Sequence, residues 1–523
     1  MKHHNQTTAW QLYENGKEYN RRIGLYETVR RNERFYRGDQ WSGTESELPR
    51  PVFNLIRRIT DYLVASIVPG DLSIRYVDDK LPFLSPALRD RVSTGLEVLN
   101  RNAAYRWRRA QMSALTKRAL LDAAISGDGV FYCYWDAEKR DGQHFLGDVC
   151  TELINSTDLF VSDVSERDLQ SQDYVILAGR ASVSSLKREA IDSGVPHDEA
   201  DTIRGDGSGD ALASDREAID QRGAEKATYL LYFYRENGEV VFEKATEHCV
   251  IRRVRTGLKY YPVAYFNWSP SKGSYHGSAP VSDMIANQKY VNTAYAMLMK
   301  HMYDTAFSKV IYDKTRIPEW SNEVGQAIAA IGGGSVGDAI SVVGVGKMQD
   351  GYLELIENVI ENTKAMMGAT ESALGDADAN NTSAILVLQQ ASRISLRGVR
   401  AELCRAIGEL ASIWADMLCA YCPNERLLVT ETDEGLTAAA NPDFALLRTE
   451  LLRATAEVSQ VDSYTPSATV AVLDKLLEGG HIRAAQYVEL LPDGTVNDRE
   501  LLRAAILETA SENQPKKGTQ MNE

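Results

Sequence analysis

Long stretches of the chain repeat apolar residues with a helical period, and shorter runs carry aromatic and β-branched residues between turn residues. Helical periodicity is found in residues 84–126, 279–303, 352–374 and 383–421. Within the first stretch, the asparagines at 100 and 102 predict a break between two helices. Strand-like runs occupy residues 130–136, 228–235, 239–244, 262–268 and 426–432. The mixture predicts an α+β fold that is predominantly helical.

The segment that begins near residue 277 has the most informative order of elements. Its first long helix carries amides on one face, at Asn287, Gln288 and Asn292. A short mixed module follows, with a strand predicted at 309–312, a helix near 322–331 and a strand pair within 339–347. A second long helix, a polar loop and a third long helix complete the order.

The pattern of apolar residues predicts helices in the carboxy-terminal part of the chain. Helices are predicted at 444–458, 466–478, 482–490 and 498–508. Residues 511–523 are polar and lack apolar anchors, which predicts disorder.

Residues 31–41 alternate arginines with aromatic rings, in the sequence RNERFYRGDQW. That mixture can bind single-stranded nucleic acid by stacking and charge. We favour an amphipathic helix end that packs its rings and leaves its arginines at the surface, with Gly38 and Asp39 ending the helix.

Charge limits the class of function. The chain has 58 Lys and Arg against 73 Asp and Glu, a formal net charge of -15, so the molecule as a whole repels phosphate. This disfavours a sequence-independent clamp on DNA. The start of the sequence has no apolar run, and no stretch of at least about 18 apolar residues occurs, so we expect neither secretion nor a membrane span.

Six cysteines in 523 residues are too few for a disulfide framework, so we expect free thiols. Cys419 and Cys422 form a single CxxC without a second pair, which favours two buried thiols over a zinc site. An acidic loop at 194–223 holds a calcium-like pattern that starts at Asp206, but Ala211 replaces the glycine that the sharp turn needs. We therefore predict a surface loop there.

No motif in the sequence indicates a catalytic site. Gly332, Gly334 and Gly337 spell GxGxxG, and the same stretch also spells GxSxG. Both motifs need a strand before the turn and a helix after it, whereas the pattern here predicts the reverse order. We predict no enzyme, no catalytic or metal-binding residues and no cofactor.

Three stretches resemble the portal proteins of tailed bacteriophages, especially those of long-tailed phages that package double-stranded DNA. The first is NERFYRGDQW followed by LPRPVFNLIRRITDYLVASIV, at residues 32–41 and 48–68. The second is the amide-bearing helix after Gly-Ser-Ala-Pro, and the third is LGDADANNTSAILVLQQAS at residues 374–392. The resemblance follows the same order over roughly residues 10–430.

The resemblance implies a ring, typically of about twelve subunits, around a DNA channel at one capsid vertex. It divides each subunit into wing, stem, clip and crown regions, with long stem helices and a small α/β clip. The implied divisions are a wing at 1–277, a first stem helix at 278–303, a clip at 304–350, a second stem helix at 351–374, a tunnel loop at 375–383, a long wing helix and strand at 384–440, a helical crown at 441–510 and a disordered tail at 511–523.

Site residues follow from the same resemblance. The tunnel loop would contribute Asp376, Asp378, Asn380, Asn381 and Thr382, and the first stem helix would contribute the polar face of Asn287, Gln288 and Asn292. The clip would contact terminase or adaptor proteins through Lys314, Arg316, Glu319, Trp320 and Glu323. An acidic loop suits a channel through which DNA slides, because each phosphate contact adds affinity.

The implied partners are further copies of the chain, double-stranded DNA, the terminase large subunit, the major capsid and scaffolding proteins, and head-completion or tail adaptor proteins. No membrane is implied. The protein would be made in the cytoplasm of the host bacterium and would reside at the portal vertex of the virion. Its functions would be DNA packaging, DNA ejection and head–tail connection.

Two other hypotheses stay open at this point. One is a metal-dependent enzyme of nucleic acids, with Asp376, Asp378 or Asp206 as magnesium ligands. The other is a helical scaffold that binds partner helices through residues 441–523. DNA turnover that depends on magnesium would separate the first from a portal, and truncation of the carboxy-terminal segment would test the second.

Overall fold

The computed structural model describes residues 6–41, 48–68, 72–140, 144, 146–206, 225–306, 309–321, 323, 327–343, 351–369, 396–432, 435–440, 442–449, 452–458, 470, 473–477, 479, 482 and 484–491. The chain divides into two compact units. The first comprises Met1–Val68 with Leu72–Glu457, and the second comprises Pro69–Asp71 with Val458–Glu523. The first unit combines helices with sheets, which confirms the α+β prediction.

The regular elements are as follows. The helices are α1 Thr8–Arg22, α2 Leu25–Arg37, α3 Leu55–Ile67, α4 Pro86–Arg109, α5 Met112–Ser126, α6 Val183–Asp192, α7 His197–Ala200, α8 Pro280–Ala306, α9 Gly351–Met366, α10 Arg397–Tyr421, α11 Phe444–Thr449 and α12 Ala484–Leu490. The strands are β1 Leu72–Asp78, β2 Asp128–Arg140, β3 Leu146–Ile154, β4 Leu159–Val161, β5 Tyr174–Ser182, β6 Lys226–Glu236, β7 Glu239–Ala245, β8 Val250–Arg255, β9 Val263–Asn267, β10 Lys309–Tyr312, β11 Ile340–Val343, β12 Leu428–Thr432, β13 Gly435–Ala439 and β14 Leu452–Val458.

The aromatic and arginine-rich stretch at 31–41 lies at the end of α2. The helix ends at Gly38, whose φ of 94° is left-handed and suits glycine. Phe35 is buried, and the indole of Trp41 donates a hydrogen bond of 2.9 Å to the backbone oxygen of Pro51. The rings are therefore used for packing within the chain, as the amphipathic interpretation predicts.

The break between α4 and α5 falls at Gln111, so the prediction of a break near residues 100–102 is wrong. Gln111 adopts a left-handed φ of 52°. Asn102 lies inside α4 instead, and its side-chain amide donates a hydrogen bond of 2.7 Å to the backbone oxygen of Val429. The asparagine joins two elements that are far apart in sequence, which a local pattern does not reveal.

Five strands form an antiparallel sheet in the order β4-β5-β6-β7-β8. One face packs against α1, through Trp10 and Leu230 among others. The other face packs against α6 and α7, with Ala200 and Ile203 in its buried cluster. The prediction of an exposed loop at 194–223 is therefore wrong for its first part, and residues 207–224 lie outside the described residues.

A three-stranded antiparallel sheet in the order β3-β2-β9 lies against α5 and α10. Helix α10 is largely buried, and its indole at Trp414 donates a hydrogen bond of 3.0 Å to the Thr151 hydroxyl. Arg405 on the same helix donates a bond of 2.9 Å to the backbone oxygen of Tyr265. These contacts fix α10 against both edge strands of the sheet.

The module between α8 and α9 differs in part from its prediction. Strand β10 is confirmed, and it pairs antiparallel with β11, a strand inside the pair predicted within 339–347. Residues 344–347, where the second strand of that pair would lie, are outside the described residues. Residues 327–331 form no helix, contrary to the prediction for 322–331. Their side chains are all exposed, so an amphipathic helix would have no described core on which to pack there.

The helix predicted at 444–458 is correct only in its first half. Helix α11 occupies that half, whereas β14 pairs with β1 to form a two-stranded sheet. The helical crown predicted at 441–510 therefore contains a strand over 452–458. Strand β14 depends on a partner at the other end of the unit, which local periodicity does not indicate.

In the second unit, residues 473–477 and α12 are helical. The Tyr487 hydroxyl donates a hydrogen bond of 2.6 Å to the carboxylate of Asp474 and joins the two segments. The helix predicted at 498–508 and the disordered tail predicted at 511–523 lie outside the described residues.

Candidate functional site

Helix α8 carries the predicted polar face, and its first polar residue contacts α9. The side-chain nitrogen of Asn287 donates a hydrogen bond of 2.9 Å to the Thr363 hydroxyl. That hydroxyl in turn donates 2.7 Å to the backbone oxygen of Val359 within α9. Asn287 therefore links the two long helices.

The side chain of Gln288 forms hydrogen bonds with the backbone at the start of α3. The side chain is buried, with 1% of its surface exposed. Its oxygen accepts hydrogen bonds from the backbone nitrogens of Leu55 at 2.9 Å and Ile56 at 3.3 Å. Its nitrogen donates 2.6 Å to the backbone oxygen of Phe53. The first N–H groups of a helix lack partners within that helix, so Gln288 caps α3 from a helix distant in sequence.

Asn292 extends the same network to the Gly-Asp-Gln-Trp stretch. Its side-chain nitrogen donates 2.7 Å to the oxygen of Gln40, and its oxygen accepts 3.0 Å from Gln288. The nitrogen of Gln40 donates 2.9 Å to the backbone oxygen of Phe35 and 3.1 Å to the oxygen of Asn54. Two of the three stretches that carry the portal resemblance therefore meet in one buried hydrogen-bonded cluster.

A second buried network precedes α8, and sequence reasoning missed it. The carboxylate of Asp128 contacts His276 Nδ1 at 2.7 Å. Its other oxygen accepts 2.7 Å from the backbone nitrogen of Gly277 and 2.8 Å from the side chain of Asn267. Each of the side chains of Asp128, His276 and Asn267 is almost fully buried. The only local signal is that the histidine and the aspartate both adjoin glycines.

These glycines allow the close approach of the two segments. Gly127 has a φ of 99°, and a Cβ placed on it would lie 2.4 Å from the backbone oxygen of Gly277. A Cβ placed on Gly277 would in turn lie 2.7 Å from the backbone oxygen of Gly127. Neither residue can carry a side chain without displacing the backbone of the other.

The Asp128–His276 pair is positioned for structure and not for nucleophilic catalysis. His276 Nε2 faces the side-chain oxygen of Asn20 at 3.2 Å, where a catalytic pair would face a hydroxyl or a thiol. Burial and the nearby Asp128 carboxylate raise the pKa of the Tyr265 hydroxyl well above its usual value. Tyr265 therefore stays neutral and donates to the backbone oxygen of Tyr275.

The structure places the predicted clip residues in one short segment. The ring of Tyr312 stacks on Trp320, with centroids 5.4 Å apart and an interplanar angle of 22°. Arg316 donates 3.1 Å to the backbone oxygen of Ser335 and so fixes the segment against the glycine-rich turn. The three charged residues of this set with exposed side chains are Lys314, Glu319 and Glu323.

A set of exposed apolar side chains follows α8, the two-stranded sheet and α9. Its members on α8 lie among the last residues of the helix, and those on α9 lie among the first. We call it the apolar set: Met297, Met302, Tyr303, Ile311, Val342, Tyr352, Leu353 and Leu355. Tyr303 is 70% exposed and Tyr352 is 54% exposed. Large exposed apolar side chains on successive elements of this kind are typical of surfaces that contact other proteins.

The remaining predicted site residues, Asp376, Asp378, Asn380, Asn381 and Thr382, lie outside the described residues. Within the part of the chain that the structure describes, no group of three or more His, Cys, Asp or Glu residues could hold a metal ion. All six cysteines are free thiols, as expected. Among the helices described, none is long and apolar enough to cross a membrane.

Comparisons with known proteins bear on residues 246–443. No curated protein matches the sequence. A solved structure described as "Neck of native GTA particle computed with C12 symmetry" is similar at a TM-score of 0.35 and 10% identity, over 84% of this chain and 89% of that chain. We draw no structural conclusion from a TM-score of this size. Residues 246–443 match the model of the Phage P22-like portal protein family. The resemblance to tailed-phage portal proteins that the sequence indicates is thus confirmed by that match.

Proposed function

We propose that the chain is the subunit of a phage portal, a ring at one vertex of the capsid. In this proposal, DNA passes through the central channel during packaging and ejection, and the protein acts without enzymatic chemistry of its own. The family match over residues 246–443 supports the assignment, because it contains α8, the two-stranded module, α9 and α10. The virion is the corresponding location.

The apolar set is the observation that best supports self-assembly. Its eight side chains come from four successive elements, α8, β10, β11 and α9, and the two tyrosines in it expose more than half of their surface. Side chains of this type stabilise a protein when they leave water, by about 25 cal/mol for each Å² buried. A ring places the same surface of every subunit against a different surface of the next, which covers such a set repeatedly.

The assignment of regions follows the order of elements. Helices α8 and α9 correspond to the stem, residues 304–350 to the clip, and residues 375–383 to the loop that faces the channel. The net charge of -15 supports a channel that binds DNA weakly. The wing, the crown and the number of subunits, about twelve, are part of the same proposal.

The clip is the proposed contact for terminase during packaging and for head-completion or tail adaptor proteins afterwards. Lys314, Glu319 and Glu323 present both signs of charge on an exposed segment. Arg316 and the Tyr312–Trp320 stack hold that segment in place. A fixed segment with exposed charges suits a partner that must bind and then be replaced, because such contacts are specific without burying a large area.

Negative-stain electron microscopy of the purified protein, with mass photometry on the same sample, tests the assembly. We expect rings of about twelve subunits around a hole wide enough for duplex DNA. Monomers or dimers without rings, at every salt and protein concentration and with scaffolding protein added, would contradict the proposal. A magnesium-dependent loss of DNA in the same preparation would support the nucleic-acid enzyme instead.

A further inference from the structure

Tyrosines cluster on the face of the five-stranded sheet that also carries α1. Tyr232 and Tyr234 stack with ring centroids 4.8 Å apart, and Tyr174 meets Tyr232 edge to face at 5.8 Å. All three side chains are half-buried. We call this group of three rings the tyrosine shelf.

Glu243 on β7 lies beside the shelf. It is directly opposite Tyr232 in the register of β6 and β7, and opposite residues of an antiparallel pair share a face. The residue is 9% exposed, and its carboxylate has no hydrogen bond or ion pair with any residue that the structure describes. A largely buried carboxylate without a partner is costly, because it has lost most of its water and gained no hydrogen bond in exchange.

The cation opposite Glu243 on this face binds other groups. Arg253 is opposite Glu243 in the register of β7 and β8. Its guanidinium instead lies over the ring of Tyr234, 5.6 Å from the centroid, and donates 2.8 Å to the carboxylate of Glu236. Arg255 also donates to Glu236, at 3.2 Å. Two arginines therefore share one glutamate, while Glu243 has none.

Burial raises the pKa of the Glu243 carboxyl above its usual value, and the Arg253 charge only partly offsets that effect. The charged form of Glu243 is thus poorly stabilised in the isolated chain. A cation placed against the carboxylate would restore the lost stabilisation. The rings of Tyr174 and Tyr232 would add to it, because the face of a tyrosine attracts a guanidinium or ammonium group, whereas the Tyr234 ring already faces Arg253.

We propose that the tyrosine shelf and Glu243 form a binding site for an arginine side chain on a basic segment of another protein. The planar guanidinium suits the site, since it can stack on a ring and donate to a carboxylate at the same time. A separate basic protein is the occupant that charge favours, because a second copy of this chain brings a net charge of -15. The proposal is independent of ring assembly.

The test uses the full-length protein and a fluorescein-labelled peptide of the sequence Gly-Gly-Arg-Arg-Gly-Gly, followed by fluorescence anisotropy at about 0.15 M salt. Glu243→Gln removes the charge and keeps the shape, and Tyr232→Leu removes the ring directly opposite Glu243. Glu138→Gln is the matched control, because Glu138 is an exposed glutamate on β2, outside the five-stranded sheet. Thermal unfolding of each variant shows whether it is folded.

We expect Glu243→Gln to weaken peptide binding about tenfold. Tyr232→Leu should weaken it severalfold, and Glu138→Gln should change it less than about twofold. A matched lysine peptide should bind more weakly than the arginine peptide. Weaker binding by folded Glu243→Gln protein than by the Glu138→Gln control supports the proposal even if Tyr232→Leu fails to fold.

Four results would overturn the site. These are no binding by the unchanged protein, equal affinity in Glu243→Gln, equal weakening by Glu138→Gln, and displacement of the peptide by spermidine at equal concentration. The last result would indicate a polyamine site in place of an arginine site. Loss of self-association in Glu243→Gln, without peptide binding to the unchanged protein, would assign the surface to a second copy and also reject the proposal.

Discussion

Asn292 on α8 donates a hydrogen bond of 2.7 Å to the side-chain oxygen of Gln40, a residue 252 positions earlier in the chain. With Gln288, this bond joins the stretch that ends α2 and the stretch that begins α3 to one face of a long helix. Buried amides that are fully hydrogen-bonded specify one arrangement, because any other arrangement leaves polar groups without partners. The polar face of α8 therefore fixes the position of the amino-terminal helices.

Replacing Gln288 by leucine should destabilise the protein by at least about 2 kcal/mol. The change keeps the volume of the side chain, but it leaves the backbone nitrogen of Ile56 without its acceptor and that of Leu55 with only the backbone oxygen of Phe53, at 2.8 Å. Urea unfolding followed by circular dichroism measures the free energy. The control Gln11→Leu, at an exposed position on α1, should change it by less than about 0.5 kcal/mol. Equal effects of the two changes would contradict the capping role.

Gly127→Ala should destabilise the folded protein much more than Gly194→Ala does, although both glycines have a left-handed φ. At Gly194 an added Cβ meets nothing within 4 Å, so only the backbone strain of roughly 1 to 2 kcal/mol applies. At Gly127 the Cβ would also press on the backbone oxygen of Gly277, adding about 1 to 3 kcal/mol. Melting temperatures of the two variants measure the difference. Similar melting temperatures would show that the segments can separate without loss.

The stability of the folded chain should fall as pH rises through neutrality, because of Glu409 on α10. Burial raises the pKa of its carboxyl from 4.5 to about 7, and the charge of Asp168 adds to that rise, whereas the contacts of the carboxylate with Gln170 and Arg405 lower the pKa. A folded-state pKa above the unfolded value means that the folded protein holds the proton more tightly. The resulting stabilisation is complete below pH 4.5 and is lost as pH rises through about 7.

Urea midpoints at about pH 5 and pH 8 measure this dependence. Glu409→Gln should reduce the difference between the two midpoints, because the amide does not titrate. Glu402→Gln, on the same helix, should retain it. An unchanged difference in Glu409→Gln would show that another group is responsible.

A charge in the apolar set should prevent ring assembly. Leu353→Glu places a carboxylate at a position that is 49% exposed in the single chain and that a neighbouring subunit would cover. Mass photometry should then show mainly single chains. Leu436→Glu, at a leucine that is 64% exposed on β13, is the matched control and should leave rings intact. Rings of normal size in Leu353→Glu would exclude this residue from the interface.

The loop at 375–383 gives a test of the channel. Replacing both Asp376 and Asp378 by lysine adds two cations where we propose that DNA passes, so DNA should be retained more strongly and packaging should slow. The rate of DNA packaging into capsids measures the effect, and lower salt should enlarge it. A packaging rate equal to that of the unchanged protein would show that the charge of the loop is incidental.

Sequence reasoning was most accurate where an element carries its own signal. The aromatic and β-branched runs of β2, β6, β7 and β9 predict their strands, because alternation and flanking turns are local properties. It failed where a distant partner decides the conformation. The local pattern predicts a helix at 452–458, but these residues pair with β1 as a strand. The pattern also predicts a helix break at Asn102, but this side chain lies inside a helix and donates a hydrogen bond to Val429.

The same distinction holds for the candidate site. The amides of Gln288 and Asn292 stand out in sequence because a long helix seldom has so polar a face. Their partners do not, since the backbone groups of Phe53 and Leu55 have no sequence signature. The Asp128–His276 pair was missed for a related reason, because 148 residues separate its members.

The capping of α3 by Gln288 also affects when the amino-terminal helices can be completed during translation. The helix and its acceptor are 233 residues apart, so a ribosome that makes about 5 to 20 residues each second needs roughly 12 to 47 seconds between them. During that interval the emerging amino terminus has its own helices but neither the glutamine nor the asparagine that secures them. Its exposed apolar face is then available to chaperones, and a pause in translation before α8 would prolong that state.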